Sequence, residues 1–325
     1  MSSDNKSTII ALEEHYWDRD LTQHFTGRGP EMRMPGLLER LYDVDALRIK
    51  EMDEAGIDVQ VLSHGAPGLQ RLDAPTAVPL ARQVNDNLAA AIKLHPGRLE
   101  GFAVLPSADP VAAADELERC VIRLGFKGAM MHGLTGQNEF LDLKKFWPIY
   151  ERAAALDVPI YLHPAVPHKA VVEAYYGDYL EQYPGLMTAA WGFTVEAATQ
   201  GIRLVLSGVF EAHPGLKIIL GHLGESLPFS AWRIDMALRR PGNRSSAFRD
   251  IFREHFWITT SGNFSTPALM CCLLEMGADR ILFSVDYPFV PNPPGVQWMQ
   301  DLPVSPADKE KILNGNAKRL LWGQS

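Results

Sequence analysis

The stretch ALEEHYWD (residues 11–18) closes an apolar run with two carboxylates and an imidazole, Glu13, Glu14 and His15. On an extended strand, residues two apart share a face. Glu13 and His15 are therefore expected to project together, and Glu14 oppositely, toward helices or a loop. Other apolar runs end in the same way. His64 follows VQVLS, His132 follows FKGAMM, His163 ends PIYLH and His222 follows KIILG. Ser261 and Asn263 close FWITTSGN, and Asp286 closes ILFSVD. A single histidine at the end of an apolar run is usually an ordinary core or surface residue, but a set converging on one place is not. Glu13, His15, His163 and Asp286 together offer two carboxylates and two imidazoles. Such nitrogen and oxygen donors suit Zn²⁺, Mn²⁺ or Fe²⁺ and disfavour Ca²⁺, which takes oxygen ligands.

A second constellation lies in GHLGESLPFSAWRID (221–235). Glu225 stands three residues beyond His222, where it can orient or charge the imidazole. A His–Glu pair beside a metal reads as acid–base machinery. Arg233, on the helix that follows, has the chemistry of a clamp for a substrate carboxylate. Its spacing equally fits a surface ion pair with Asp235.

Positioning these groups requires strands that end at one place. Eight apolar, β-branched runs alternate with helical patterns: 7–15, 59–65, 100–106, 126–132, 159–164, 217–224, 256–263 and 281–288. In PVAAADELERCVIRLG, Pro110 is a favoured first-turn proline and Gly125 a favoured stop. Pro148 fits the first turn of another helix. Continuous apolar strands, each followed by a helix, imply parallel pairing buried on both faces. The pattern predicts an α/β fold, a (β/α)8 barrel of the TIM type, as one domain over residues 1–325 with a flexible segment 1–6. A doubly wound sheet would want a Gly-rich turn after its first strand, where this chain has EEHYWD.

In such a barrel the C-terminal strand ends build the active site. Segments 16–42 and 165–190 are too long for tight loops and rich in aromatics, and are expected on the catalytic face. Candidate pocket walls are Phe25, His64, Phe193, Asn263 and Phe289. Trp191 and Tyr175 are placed to reach a subunit interface, and Arg203 and Glu196, on a helix over 191–212, read as a solvated or interface pair.

Composition bounds the rest. A net charge of −8, without any basic run, argues against nucleic acid or an anionic membrane as partner. No apolar run approaches a membrane span, and MSSDNKS has no apolar signal region. Cys120, Cys271 and Cys272 make no disulfide framework, which fits a reducing cytoplasm.

ALEEH, YLHP, GHLGE-LPF-WRID, TTSGNFS and ILFSVDYPF together resemble the amidohydrolase-related metal-dependent decarboxylases. This branch holds the γ-resorcylate (2,6-dihydroxybenzoate), 2,3-dihydroxybenzoate, salicylate and 5-carboxyvanillate enzymes. The resemblance runs from about residue 9 to the C-terminus. It implies decarboxylation of an ortho-hydroxylated aromatic acid, reversible, with one Zn²⁺ or Mn²⁺ and no organic cofactor. Glu13-x-His15 replaces the HxH of two-metal relatives, and no strand-end lysine follows. The implied ligands are Glu13, His15, His163 and Asp286; the implied catalytic groups are His222, Glu225 and, as proton donor, Asp286. Arg233 matches the substrate-carboxylate contact, whereas His64 departs from the smaller or neutral residue usual there. A homodimer or homotetramer in the cytoplasm is expected. The same ligands would also serve a hydrolase or hydratase acting through metal-bound hydroxide on a lactone or unsaturated acid. A binding or scaffold role would require a broken ligand set.

Overall fold

A computed structural model describes residues 7–25, 33–136, 138–244 and 246–324. The expected flexible segment 1–6 and residues 26–32 of the 16–42 insertion lie outside them. Among the described residues nine strands run in parallel: β1 (Ile10–Tyr16), β2 (Val59–His64), β3 (Leu99–Gly101), β4 (Ala103–Val104), β5 (Ala129–His132), β6 (Ile160–His163), β7 (Ile218–Leu220), β8 (Phe256–Thr259) and β9 (Ile281–Leu282). They form two sheets in chain order, β1-β2-β3 and β4 to β9. The expected run 100–106 is one passage divided at Phe102. Its N–H bonds to Leu62, while the next residue, Ala103, pairs onward toward β5. Eight passages therefore remain, as the alternation predicts.

One cluster shows that these passages surround a common interior. Ile10, Leu12, Val61, Phe102, Met130, Tyr161, Ile219 and Leu282 pack together, with Trp257 against them. Ala317, Leu320 and Leu321, from the helix Asn316–Trp322, cover one end. The larger cluster fills the space between strands and helices.

Among the described residues no ladder joins β9 to β1. Side chains and a backbone bond from His15 N to the Tyr287 carbonyl (2.6 Å) bridge the gap instead. The Glu13 N–H donates to Ser284 Oγ (2.6 Å), and Glu14 accepts from Ser284 Oγ (3.1 Å), Val285 N (2.9 Å) and Tyr287 N (3.1 Å). Glu14 meets a loop, as expected of a side chain facing away from the mouth: fully buried, it ties the first strand to the segment that follows the last. Burial pushes its carboxyl up to about 8, against the pull of these donors and Arg48.

Strands end earlier than their apolar runs, since the Thr260 hydroxyl accepts from Ser284 N and donates to the Ser284 carbonyl where a ladder would continue. Pro110 and Pro148 each sit in the first turn of a helix, and Gly125 ends its helical segment with φ of 79°. The long helix is Gly192–Ser207, broken from Val209–Ala212 by left-handed Gly208. Arg203 and Glu196 are not a pair on it. Arg203 bonds Asp142 at 2.7 Å, and Glu196 is buried, accepting from Ala165 N and Gln200. No described helix is long and apolar enough to cross a membrane.

Candidate metal centre and catalytic cavity

Glu13 and His15 reach the barrel mouth through an irregularity in β1. Ala11 pairs with Gln60 but Glu14 pairs with Leu62, so three steps on β1 match two on β2. Such a bulge reverses the facing of all later residues. Ile10 and Leu12 face the interior before it, Glu13 and His15 after it.

One ligand atom each from Glu13, His15, His163 and Asp286 lies within 4.8 Å of the others. His15 Nε2 is 3.2 Å from Asp286 Oδ1, and His163 Nε2 is 3.3 Å from Glu13 Oε1. The two oxygens of Glu13 differ in use. Oε2 accepts from the hydroxyls of Tyr161, Ser261 and Thr259, whereas Oε1 is buried with no hydrogen-bond partner, as is His15 Nε2. Buried polar atoms without partners are costly, and here they converge. A divalent cation fits this donor set, because it satisfies both atoms at once and matches its chemistry.

The surroundings fix the ligating nitrogens. His132 Nε2–H donates to the His64 carbonyl (2.8 Å), leaving its Nδ1 as an acceptor 3.0 Å from His163 Nδ1. His163 Nδ1 also lies 2.7 Å from the Pro164 carbonyl and so carries the proton. The lone pair of His163 is then on Nε2, facing the centre. Burial holds His132 well below the usual histidine range, so it stays neutral. Burial opposes ionisation of Glu13, but His222, His163 and His15 hold its carboxyl well below the ordinary range.

His222 stands beside this centre, its Nε2 3.7 Å from Asp286 Oδ2 and 3.8 Å from Glu13 Oε1. Its Nδ1 meets Glu225 Oε1 at 2.6 Å, and Thr194 Oγ1 donates to the other Glu225 oxygen at 2.9 Å. Burial alone would depress the imidazole, yet Glu225 and Glu13 hold it well above its usual range. The five residues His222 to Ser226 all have φ between 51° and 75°, and Asp286 has φ of 74°. Left-handed backbone costs roughly 1–2 kcal/mol for each non-glycine residue. Bonds from His222 N to Ser261 Oγ, from Leu223 N to the Thr259 carbonyl and from Asn263 to the His222 carbonyl hold the turn in place. Strain maintained in this way is characteristic of functional sites.

A cavity of 1370 Å³ opens over the centre. Of the expected walls, Phe193, Asn263 and Phe289 line it, beside His163, His222, Glu225 and Asp286. Phe25 and His64 do not. Both ring nitrogens of His64 meet backbone groups, Gly65 O at 2.8 Å and Asp18 N at 3.0 Å, and Phe25 packs on His64 and Trp17. Burial takes His64 down to about 4. Arg233 lies on the exposed face of the helix Leu227–Leu238 and does not line the cavity of its own chain; Asp235 pairs with Arg239 instead. The long segments contribute Trp17, Met34 and Thr188 to Ala190 to the lining. Sequence reasoning passed over Trp17, Thr194 and Tyr161. Only Trp17 carried a signal, standing two residues past His15.

Fold and site together define an α/β barrel with a cluster suited to a metal ion and a His–Glu pair at its mouth. The sequence profile of the amidohydrolase family matches residues 15–322, and the chain belongs to that family. Among individual relatives it is 42% identical over 324 residues to γ-resorcylate decarboxylase of Polaromonas sp. (strain JS666), covering 96% of this chain and 97% of that one. The structure of 2,6-dihydroxybenzoate decarboxylase complexed with 2,6-dihydroxybenzoate superposes with a TM-score of 0.88 at 39% identity, over 97% of this chain and 99% of that one. The dihydroxybenzoic acid decarboxylase from Polaromonas sp. JS666, with bound manganese and the inhibitor 2-nitroresorcinol, gives 0.89 at 40% identity, over 98% of each chain.

Proposed function

We propose that this protein is a metal-dependent, nonoxidative decarboxylase of an ortho-hydroxylated aromatic carboxylic acid, acting reversibly. The observation that carries the reading is the unpartnered, convergent donor set of Glu13, His15, His163 and Asp286, with the His222–Glu225 pair beside it. The manganese and aromatic ligands of the related decarboxylases support it. Glu13, His15, His163 and Asp286 would hold one Mn²⁺ or Zn²⁺. When bound, the ion neutralises carboxylate and phenolate charge and orients the ring.

This chain's own residues supply the rest. Glu225 anchors the His222 imidazole, and the His222 Nε2 proton faces Asp286 Oδ2. A proton delivered from Asp286 to the ring carbon that bears the carboxylate interrupts aromaticity. The bond to the carboxylate then breaks, its electron pair returns to the ring, and CO₂ leaves as aromaticity is restored. Phe193, Phe289 and Asn263 border the space where the ring would lie, and the apolar walls exclude water from the protonated intermediate. Arg233 as a substrate-carboxylate contact, which its exposed position allows only in the cavity of a second copy of this chain, belongs to the same proposal, as do the single-domain span 1–325, homo-oligomerisation and a cytoplasmic location; the free cysteines agree with a reducing compartment.

The test is turnover in D₂O of Mn²⁺- and Zn²⁺-loaded protein against a panel of ortho-hydroxybenzoates, with products identified by NMR. Metal-dependent deuterium at the carbon that lost its carboxylate is the expected result. Loaded protein that leaves the whole panel intact would reject the reading in favour of a hydrolase or hydratase.

A further inference from the structure

Trp17 stands two residues beyond His15 and lines the cavity together with Ala66, His163, Asp286 and Phe289. Its indole occupies the place a side chain at residue 65 would take. A Cβ built on Gly65 would lie 3.0 Å from the indole nitrogen, 3.3 Å from Cδ1 and 3.7 Å from the His15 Cβ. The indole therefore sits within a side chain's breadth of an expected metal ligand, and a side chain at residue 65 would have to displace it. Phe25 and Tyr42 meet its ring edge-to-face, at 5.5 Å and 6.1 Å between centroids, so retreat from the cavity is blocked. The Trp17 N–H bonds to the Leu41 carbonyl at 2.7 Å and fixes the backbone. In strand order Trp17 and Gly65 follow β1 and β2, across the mouth from His222, which follows β7.

We infer that Trp17, seated over Gly65, is a specificity-determining residue: it limits the size of the ring substituent that a bound aromatic acid presents to the β1–β2 side of the cavity. Rigid aromatic walls discriminate by volume, and one methylene too many changes selectivity by about 10- to 200-fold. The inference rests on the decarboxylase reading for the choice of probes.

The experiment compares the Mn²⁺-loaded parent protein with Trp17→Ala, Trp17→Phe and Gly65→Val. Probes are 2-hydroxybenzoates carrying hydrogen, methyl, ethyl or propyl at each ring position in turn, followed by kcat/KM and by calorimetric binding. The parent is expected to discriminate against alkyl groups at one ring position. Trp17→Ala should relax that discrimination by about tenfold or more, and Trp17→Phe by less. Gly65→Val, which pushes the indole into the cavity, should sharpen it at the same position. Unchanged discrimination in both Trp17→Ala and Gly65→Val would overturn the inference. Turnover absent throughout, with binding discrimination altered as described, would reject the decarboxylase reading and keep Trp17. Binding absent throughout would overturn both.

Discussion

Glu13 divides one carboxylate between structure and chemistry, its Oε2 held by three hydroxyls and its Oε1 left for a cation. Residues that orient a ligand without touching the metal commonly contribute 10–100-fold to affinity. Tyr161→Phe should therefore weaken Mn²⁺ binding by about 10–100-fold, measured by competition with a chelating dye. His222→Asn should retain metal yet lower kcat by about 10²–10⁴-fold, the usual worth of a positioned acid–base group; near-parental turnover would make this histidine structural. Glu196 provides a pH test at a group that is not a ligand. Burial pushes its carboxyl up to about 8 from the ordinary glutamate value of 4.5. A folded-state pKa above the unfolded one means that the native state binds the proton more tightly. The contribution is fully present below about 4.5 and is lost as pH rises through 8. Glu196→Gln should accordingly flatten the decline of Tm between pH 5 and pH 9, and parallel declines in both proteins would refute that account.

At the scale of elements, two irregularities build the site from an otherwise regular alternation. The bulge in β1 turns Glu13 and His15 inward after Leu12 has already faced the interior. The left-handed turn after β7 places His222 and Glu225 on one side, at 2.6 Å. Gly221 precedes that turn, and a Cβ there would lie 2.7 Å from Glu13 Oε2. Gly221→Ala should thus displace the carboxylate, and metal analysis should find the variant with reduced metal while its circular dichroism stays barrel-like. Across the β1–β9 gap, Ser284→Ala removes the acceptor of the Glu13 N–H and a donor to Glu14. Leaving a buried group unsatisfied costs about 1–3 kcal/mol, so a lower urea midpoint at unchanged m is expected.

For the molecule as a whole, ligand binding to the native state alone adds stability by mass action, about 2.7 kcal/mol at a hundredfold excess over Kd. Stripping the metal with a chelator should lower Tm and abolish activity, and Mn²⁺ should restore both. Asp286→Asn, which keeps a ligand oxygen but removes its charge, should show a smaller Mn²⁺-dependent rise in Tm than the parent. A rise equal to the parent's would move the cation away from Asp286.

What the sequence by itself determined follows from spacing and side-chain type. Eight alternating runs required parallel strands with a shared mouth, and Glu13, His15, His163, His222 and Asp286, each at a run's end, had to meet there. Glu225, three residues from His222, was legible for the same reason. Tertiary structure decided what long-range packing controls. Glu14 and Arg48 are buried ties between distant elements, with Arg48 reaching the His15 carbonyl at 2.6 Å, and no local pattern marks a buried charge with distant partners. His64 shares the strand-end position of the ligands, but its ring turns to Gly65 and Asp18, because side-chain direction depends on neighbours rather than on register. Arg233 lies on the outer face of its helix, a matter of how that helix docks. Trp17 forms a wall because residue 65, far along the chain, is glycine. Each of these outcomes depends on pairs of residues that only folding brings together.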